Sequence, residues 1–296
     1  MAEKPKTEPV KRADGPTKPS AFKPDLATFG GAALALLGLI GGLLLEKGSI
    51  GDIAQATAAM IVLGGTFGAV LITNPLPVVL RALKSLRAVI FEPAHAFAAS
   101  IDEIIGYASK SRKNGIVSLE AEAQQIADSF LNKALNLAVD GTDLQELKSM
   151  MELDIHLNEQ RMEAEAKVWE AAGGYAPTIG IIGAVMGLIQ VMKHLEDIKE
   201  VGHGIAVAFV ATVYGVGAAN IFLLPAANKL RARARQATLL QELMLEGVIG
   251  IVEGLNPKLI RIKLEAYMEP SPGRKSDAAK AASGAKPGVK GGPVAA

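Results

Sequence analysis

The sequence predicts an all-α integral membrane protein with four transmembrane helices and a large helical cytoplasmic domain. Three observations lead to this fold class: four long uncharged apolar runs, basic residues that collect on one side of them, and helical periodicity in the remaining segments. Half of the 296 residues are hydrophobic, yet the apolar residues occur in blocks rather than evenly along the chain.

Each of the four apolar runs is long enough to cross a bilayer. A helix rises ~1.5 Å per residue, so about 20 residues span the ~30 Å hydrocarbon core. The runs comprise residues 26–45, 53–73, 171–192 and 204–228, and none contains Asp, Glu, Lys, Arg or His. The second run is the weakest, because Gln55 and several glycines dilute its hydropathy. A soluble protein with buried core helices would rarely show this pattern four times.

The distribution of Lys and Arg predicts the orientation. Basic residues collect before the first run, after the second and after the fourth, whereas acids outnumber Lys and Arg in the connections 46–52 and 193–203. The positive-inside rule therefore places both termini and the long middle segment in the cytoplasm. The first run is too long for the apolar part of a signal peptide, so we interpret it as an uncleaved membrane anchor.

These features divide the chain into six segments. A basic, proline-rich arm and a tail rich in Lys, Ala and Gly are expected to be disordered. The segments are the arm 1–24, a transmembrane hairpin 25–73, a cytoplasmic helical domain 74–170, a second transmembrane hairpin 171–228, C-terminal cytoplasmic helices 229–269, and the tail 270–296.

The cytoplasmic segment predicts three helices. The first is interrupted at Pro93 and ends at a turn over residues 112–115, and the second covers 119–139. The third begins at a capping box of Thr142 and Gln145 and ends at the glycine pair 173–174.

Small residues in the spans predict close packing between helices. Gly183 and Gly187 lie four residues apart in the third span, as do Gly64 and Gly68 in the second. Because lipid provides little drive for helix association, such pairs indicate close backbone contact within the chain, with a copy of it, or with a partner.

The spans contain hydroxyl groups but no group that titrates near neutral pH. Thr212 and Tyr214 are candidate ion-pathway residues because their hydroxyls can hydrogen-bond, yet intramembrane proton relays generally use Asp, Glu or His. The sequence therefore disfavours an autonomous pump or transporter. Pro177 and Pro225 lie at the cytoplasmic ends of the second hairpin, where they are either kinks without further role or a hinge at the inner mouth of a path.

Other chemistry is not indicated. The chain lacks cysteine, a phosphate-binding loop, a zinc-protease motif and a nucleophile elbow, so we expect neither an enzyme nor a cofactor. His194, Glu196, Asp197 and His203 share one loop but are interpreted as solvated residues rather than metal ligands. A net charge of +1 gives no reason to expect a nucleic-acid partner.

Four ordered motifs resemble the MotA/PomA stator proteins of the MotA/TolQ/ExbB family. They are AxKSRxxGxxSLE at 108–120, PTIGIIGAVMGLI from Pro177, ATVYG followed by LLP up to Pro225, and GLNPKLIRIKLEAYM at 254–268. The resemblance covers roughly residues 25–268, and the arm and the tail lie outside it.

The resemblance implies a stator A subunit in the bacterial inner membrane. Several copies would surround a dimer of a MotB-like, peptidoglycan-binding B subunit whose helix carries the proton-binding Asp. Pro177 and Pro225 match prolines that couple protonation to movement, and Arg112 and Glu120 match charges that act on the rotor protein FliG. Sodium-type members carry Thr where this chain has Ala184, which favours H⁺ over Na⁺ as the coupling ion.

Two alternatives remain open at this point. A TolQ/ExbB-like energiser is the nearest, although such proteins usually have three spans with a lone first helix. A passive membrane scaffold is the other, and it would leave both prolines replaceable.

Overall fold

The computed structural model describes residues 23–92 and 97–268. Contacts group the chain into two compact units, which we call the span unit (residues up to 95 and 149–239) and the helical unit (96–148 and from 240 onwards). The described residues are almost entirely helical, which confirms the all-α fold class. Lys23 and Pro24, predicted to be disordered with the arm, instead pair with Phe91 and Glu92 in a short antiparallel ladder.

The span unit contains all four apolar runs. Its helices are α1 (Leu26–Leu45), α2 (Ile50–Ile53), α3 (Ala56–Thr73), α4 (Leu76–Ile90), most of α8 (Leu144–Lys193), α9 (Ile198–Gly217), a π-helical segment (Ala218–Leu223) and the first part of α10 (Leu224–Val252).

Four helices are long and apolar enough to cross a membrane, as predicted from the sequence. They are α1, α3, α8, and α9 with its continuation into α10. No residue of α1 is buried, and Leu34 and Leu37 are 74% and 69% exposed. Apolar side chains turned outward on this scale are typical of helices that face lipid or other subunits.

The third predicted helix is longer than expected at its C-terminal end. It does not stop at Gly173 and Gly174 but continues through the third span to Lys193, which makes α8 50 residues long. Its cap also differs from the prediction, because the Asp143 carboxylate, not Thr142, accepts hydrogen bonds from the backbone N–H groups of Gln145 (2.9 Å) and Glu146 (3.4 Å). Glycine costs a helix about 1 kcal/mol, which is too little to end one whose next turn enters the bilayer.

The helix of the fourth span also continues beyond residue 228, the predicted end of the span. α9, the π-helical segment and α10 follow one another without a break to Val252. A π turn admits one extra residue, and such turns occur frequently at functional sites.

The helical unit consists of α5 (Phe97–Asn114), a 3₁₀ turn (Ile116–Leu119), α6 (Glu120–Ala123), α7 (Ser129–Val139), the end of α10 and α11 (Pro257–Glu265). Its core contains fully buried side chains from several helices, among them Ile104, Leu135, Leu243 and Leu264. Leu264 and Ile104 both lie against Gly247 of α10.

The single helix predicted over 119–139 is wrong. The chain leaves the helical conformation after α6, and α7 begins only after Asp128. The Asp128 carboxylate accepts hydrogen bonds from the N–H groups of Phe130 and Leu131, both at 2.9 Å. An aspartate that caps a helix in this way competes with the preceding turn, and here the cap prevails.

Pro93, the arm residues 1–22 and the tail 269–296 lie outside the described residues. Of the helices on either side of Pro93, α4 ends at Ile90 and α5 begins at Phe97.

Candidate functional site

The two helices of the second hairpin, α8 and α9, approach each other through backbone atoms. A Cβ atom placed on Gly187 would lie 2.9 Å from both the Ala208 nitrogen and the Gly204 oxygen. One placed on Gly180 would lie 2.9 Å from the Ala211 oxygen, and Gly183 meets Ala211 Cβ at the same distance. The small residues of the third span therefore pack against this chain's own fourth span.

The glycines of the first hairpin behave differently. Cβ atoms placed on Gly64 and Gly68 of α3, or on Gly38, Gly41 and Gly42 of α1, would meet nothing within 4 Å among the described residues. Within one protomer these small-residue faces are open to other molecules. Only Gly65 of α3 is closely packed, against Ile179 of α8.

Pro177 lies inside α8 rather than at a helix end. Proline has no N–H, so the carbonyl of Gly173, four residues earlier, loses its usual helical donor. Gly173 is in turn pressed against Leu224, since a Cβ atom placed there would lie 2.5 Å from Leu224 Cδ2. Leu224 directly precedes Pro225, so one contact joins the two proline sites.

Pro225 is the second residue of α10, which directly follows the π-helical segment. The residue four positions earlier is Ile221, inside that segment, so the missing N–H of Pro225 falls where the helix is already wider than an α-helix. The sequence located Pro225 as a possible hinge but gave no signal for the π turn beside it.

The two hydroxyl-bearing candidates of α9 have different roles. Thr212 Oγ1 donates to the Ala208 carbonyl in its own helix at 3.4 Å, which is the ordinary back-bond of a helical threonine. The Tyr214 hydroxyl donates to the Ile53 carbonyl (2.6 Å) and accepts from the Gln55 N–H (3.3 Å). Tyr214 thereby ties α9 to the junction of α2 and α3.

The structure does not bring the remaining candidates into one polar cluster. Ala184 is half-buried in α8, one residue beyond the packed Gly183. In the loop at 194–203, Asp197 caps α9 by accepting from the Lys199 N–H at 2.9 Å, and His194 Nδ1 lies 3.1 Å from the Gln190 carbonyl. Among residues 23–92 and 97–268, no three His, Cys, Asp or Glu side chains lie close enough to hold a metal ion.

An arginine joins the two long helices just below the prolines. Arg231 of α10 donates from Nη1 to Glu170 Oε1 (3.1 Å), from Nη2 to the other oxygen of the same carboxylate, and from Nε to Glu163 (3.1 Å). The two-point contact lowers the pKa of Glu170, chiefly through the hydrogen bond from Arg231. The link lies seven residues before Pro177 and six after Pro225.

A second ionic cluster joins the start of α1 to α10. The Asp25 carboxylate caps α1 at the N–H groups of Ala27 (3.0 Å) and Thr28 (3.1 Å), and it contacts Lys229 and Arg233, the latter at 2.9 Å. The hydrogen bond from Lys229 is the main reason why the pKa of Asp25 is lowered. An Asp before an apolar run is a recognisable helix-start signal, but its basic partners, about 200 residues away, are visible only in the fold.

Comparison with known proteins assigns the family. A model of the Motility protein A N-terminal region matches residues 29–109, and a model of the MotA/TolQ/ExbB proton channel family matches 122–242. Motility protein A of Bacillus subtilis is 35% identical over 248 residues, which cover 82% of this chain and 91% of that protein. PomA of Vibrio alginolyticus is 33% identical over 250 residues, covering 82% and 95%. The chain belongs to the Motility protein A group of the MotA/TolQ/ExbB proton channel family.

Solved structures agree with this assignment. The flagellar MotAB stator complex from Bacillus subtilis has a TM-score of 0.78 at 33% identity, covering 87% of this chain and all of that one. The C. jejuni MotAB structure has a TM-score of 0.80 at 29% identity, covering 84% and 98%. This Motility protein A-type chain is therefore a stator subunit, and TolQ and ExbB represent only the broader family.

The predicted rotor residues of this stator chain lie in the helical unit. Arg112 is in the last turn of α5 and Glu120 begins α6, with Gly115 between them at φ +81°. Both side chains are exposed, and neither forms an ion pair or hydrogen bond with another described residue. The nearby Lys110, in contrast, is paired with Glu122.

The close approach of α8 and α9 can be tested with a single methyl group. We expect Gly187→Ala to destabilise the chain by about 1–3 kcal/mol, because its Cβ would collide with backbone atoms that cannot move independently. Thermal unfolding of the purified protein in detergent is the measurement. Gly174→Ala in the same helix is the matched control, since its Cβ would meet nothing within 4 Å. Equal losses in the two variants would contradict the packing described above.

Proposed function

We propose that this chain is the A subunit of a flagellar motor stator. With a B subunit it forms a proton channel in the bacterial inner membrane and converts inward ion flow into torque on the rotor. The observation that carries the proposal is the pair of uncharged apolar runs 171–192 and 204–228, whose two proline sites touch through Gly173 and Leu224 in a chain of the motility family. The role is transport and force generation, and we assign no catalytic residue.

The absence of acids from the spans supports a partner that supplies one. A proton crossing the hydrocarbon core needs a group that titrates near neutral pH, and the four apolar runs contain no Asp, Glu or His. The structures to which this chain is similar are complexes of MotA with MotB. We assign the acid to a MotB-like, peptidoglycan-binding B subunit, around which copies of this chain associate. The open glycine faces of α1 and α3 suit contacts with other copies or with lipid.

The hairpin offers a physical route from protonation to movement. When the partner's acid is protonated, the negative charge that it places beside the hairpin disappears. This changes which packing of the helices is favoured. Pro177 and the π segment before Pro225 are the places where each helix lacks regular hydrogen bonds and bends at least cost. The Arg231 link to Glu170 then makes α8 and α10 move together below those points.

The proposed orientation places both termini and the helical unit in the cytoplasm. Three basic clusters flank the spans on that side. In this orientation Arg112 and Glu120 face the compartment that contains the rotor.

The prolines are expected to be necessary for movement but not for assembly. Pro177→Ala and Pro225→Ala restore a helical donor, stiffen the bend points and should lower rotation speed by about tenfold or more, which corresponds to roughly 1.4 kcal/mol. Tethered-cell rotation and co-purification with the B subunit are measured together. Pro257→Ala is the control, because that proline occupies the first turn of α11, where none of its helical bonds is lost. Normal rotation in both hairpin variants would favour the passive scaffold.

We propose protons as the coupling ion, since Ala184 stands where sodium-type members carry a hydroxyl. Rotation speed should then be the same in sodium-free buffer and in buffer with sodium at equal ionic strength and pH. A loss of rotation without sodium would overturn this part of the proposal and leave the stator assignment intact.

We propose that Arg112 and Glu120 act on the rotor protein FliG. Both charges are exposed, and neither is paired with another residue of the part of the chain that the structure describes, which leaves them available to another protein. Arg112→Glu should reduce motility in soft agar much more than Lys113→Glu, a charge reversal at the adjacent exposed residue. A charge reversal on the rotor surface should restore it. Equal defects in the two variants would show that bulk charge, not this position, matters.

A further inference from the structure

A long apolar groove runs along α1 in the span unit. It consists of two adjoining cavities of about 670 Å³ and 540 Å³, which share Ala35, Asn220 and Ile221 as lining residues. One wall is α1, and the opposite wall is formed by the end of α9 and the π segment. The groove therefore lies beside the segment that leads into Pro225.

The groove is apolar along its length and polar at one end. Thr212 and Asn220 line it, but each is hydrogen-bonded to a carbonyl one turn earlier in its own helix. The Trp169 N–H is likewise bonded, to a backbone carbonyl of α4. The Thr28 hydroxyl also donates to a backbone carbonyl of α4, that of Val89 at 3.2 Å. The charged group at the rim is the ammonium group of Lys229.

The length of the groove corresponds to one leaflet of a bilayer. Along α1 its lining extends from the first helical turn, at Ala27, to Leu39. Twelve residue steps of helix rise about 18 Å, slightly more than half of the ~30 Å hydrocarbon core. Its polar end lies at the start of α1, where the basic clusters place the cytoplasmic headgroups.

The ammonium group of Lys229 at the rim has a hydrogen-bond donor without a protein acceptor among the described residues. Lys229 contacts the Asp25 carboxylate and the Thr28 hydroxyl, which accounts for two of the three N–H donors of an ammonium group. Asp25 also binds Arg233, so Lys229 has no carboxylate of its own. A quarter of its side chain is exposed. An anion that approaches along the groove meets a positive charge with a donor available.

We infer that this groove binds one acyl chain of an anionic glycerophospholipid of the cytoplasmic leaflet, with the lipid phosphate at Lys229. Lipid fits better than a helix of a second copy, because none of the four apolar runs carries an acid that could meet the ammonium group. The inference rests on the proposed orientation but not on torque generation. It adds a lipid as a structural component beside the π segment.

Filling the groove tests for the acyl chain. Ala35 lines both cavities, whereas Ala33 on the same helix lines neither. The full chain, in the assembly extracted from membranes, is incubated with phosphatidylglycerol, and bound lipid is counted by native mass spectrometry. Ala35→Phe should lower retention by about tenfold, because excluding even two methylenes costs roughly 1.6 kcal/mol. Ala33→Phe should retain the lipid. Equal retention in the two variants would overturn the site.

Charge at the rim tests for the phosphate. Lys229→Gln should reduce the preference for phosphatidylglycerol over phosphatidylcholine by about fivefold, the value of roughly 1 kcal/mol for one basic group near a membrane surface. Lys229→Arg should keep the preference. If Lys229→Gln keeps the preference for phosphatidylglycerol over phosphatidylcholine, the proposed contact between Lys229 and the lipid phosphate is wrong.

A single cysteine identifies the occupant directly. The chain contains no cysteine, so Ala35→Cys gives one attachment point for a thiol-reactive photo-crosslinker. Crosslinking in native membranes, followed by mass spectrometry, should yield a lipid adduct. A crosslink to a second copy of this chain or to another protein would overturn the inference.

Discussion

The bilayer interior accepts neither charge nor an unpaired backbone group, and the rest of the structure depends on that constraint. It makes the four spans helical and free of acids, and it removes the hydrophobic drive that would hold them together in water. The spans must therefore be held together by close van der Waals contact between helices. Gly180, Gly183 and Gly187 allow α8 and α9 to meet backbone to backbone within their apolar runs, which carry no charge.

Charges excluded from the spans gather at their ends and organise the helices there. The bidentate link from Arg231 to Glu170 joins α8 to α10, and the cluster around Asp25 joins α1 to the same helix. Arginine suits the first task because its planar fork matches a carboxylate at two points. The polar contacts thus lie just outside the proline sites, and in the proposed mechanism they transmit motion from one helix to the next.

The sequence was sufficient to predict four membrane-spanning helices, because length and charge act locally. It did not predict that Pro177 lies inside one continuous helix. It failed where two local signals compete, as at Asp128, whose cap ended the expected helix, and at Gly173, where the helix continued. Contacts between distant segments had no signal at all. Tyr214 was a plausible path residue by its hydroxyl, yet that hydroxyl is bonded to the α2–α3 junction.

The uninterrupted course of α8 turns a small angle into a large displacement. Its 50 residues correspond to a rod of about 75 Å, and Pro177 stands 33 residues from the end at Leu144. That arm is about 50 Å long, so a bend of roughly 5° at the proline displaces its far end by about 4 Å, close to the rise of three helical residues. A glycine pair that ended the helix would have lost this leverage. In the proposed mechanism, continuity through Gly173 and Gly174 lets a small bend at Pro177 produce a large movement at the far end of the helix.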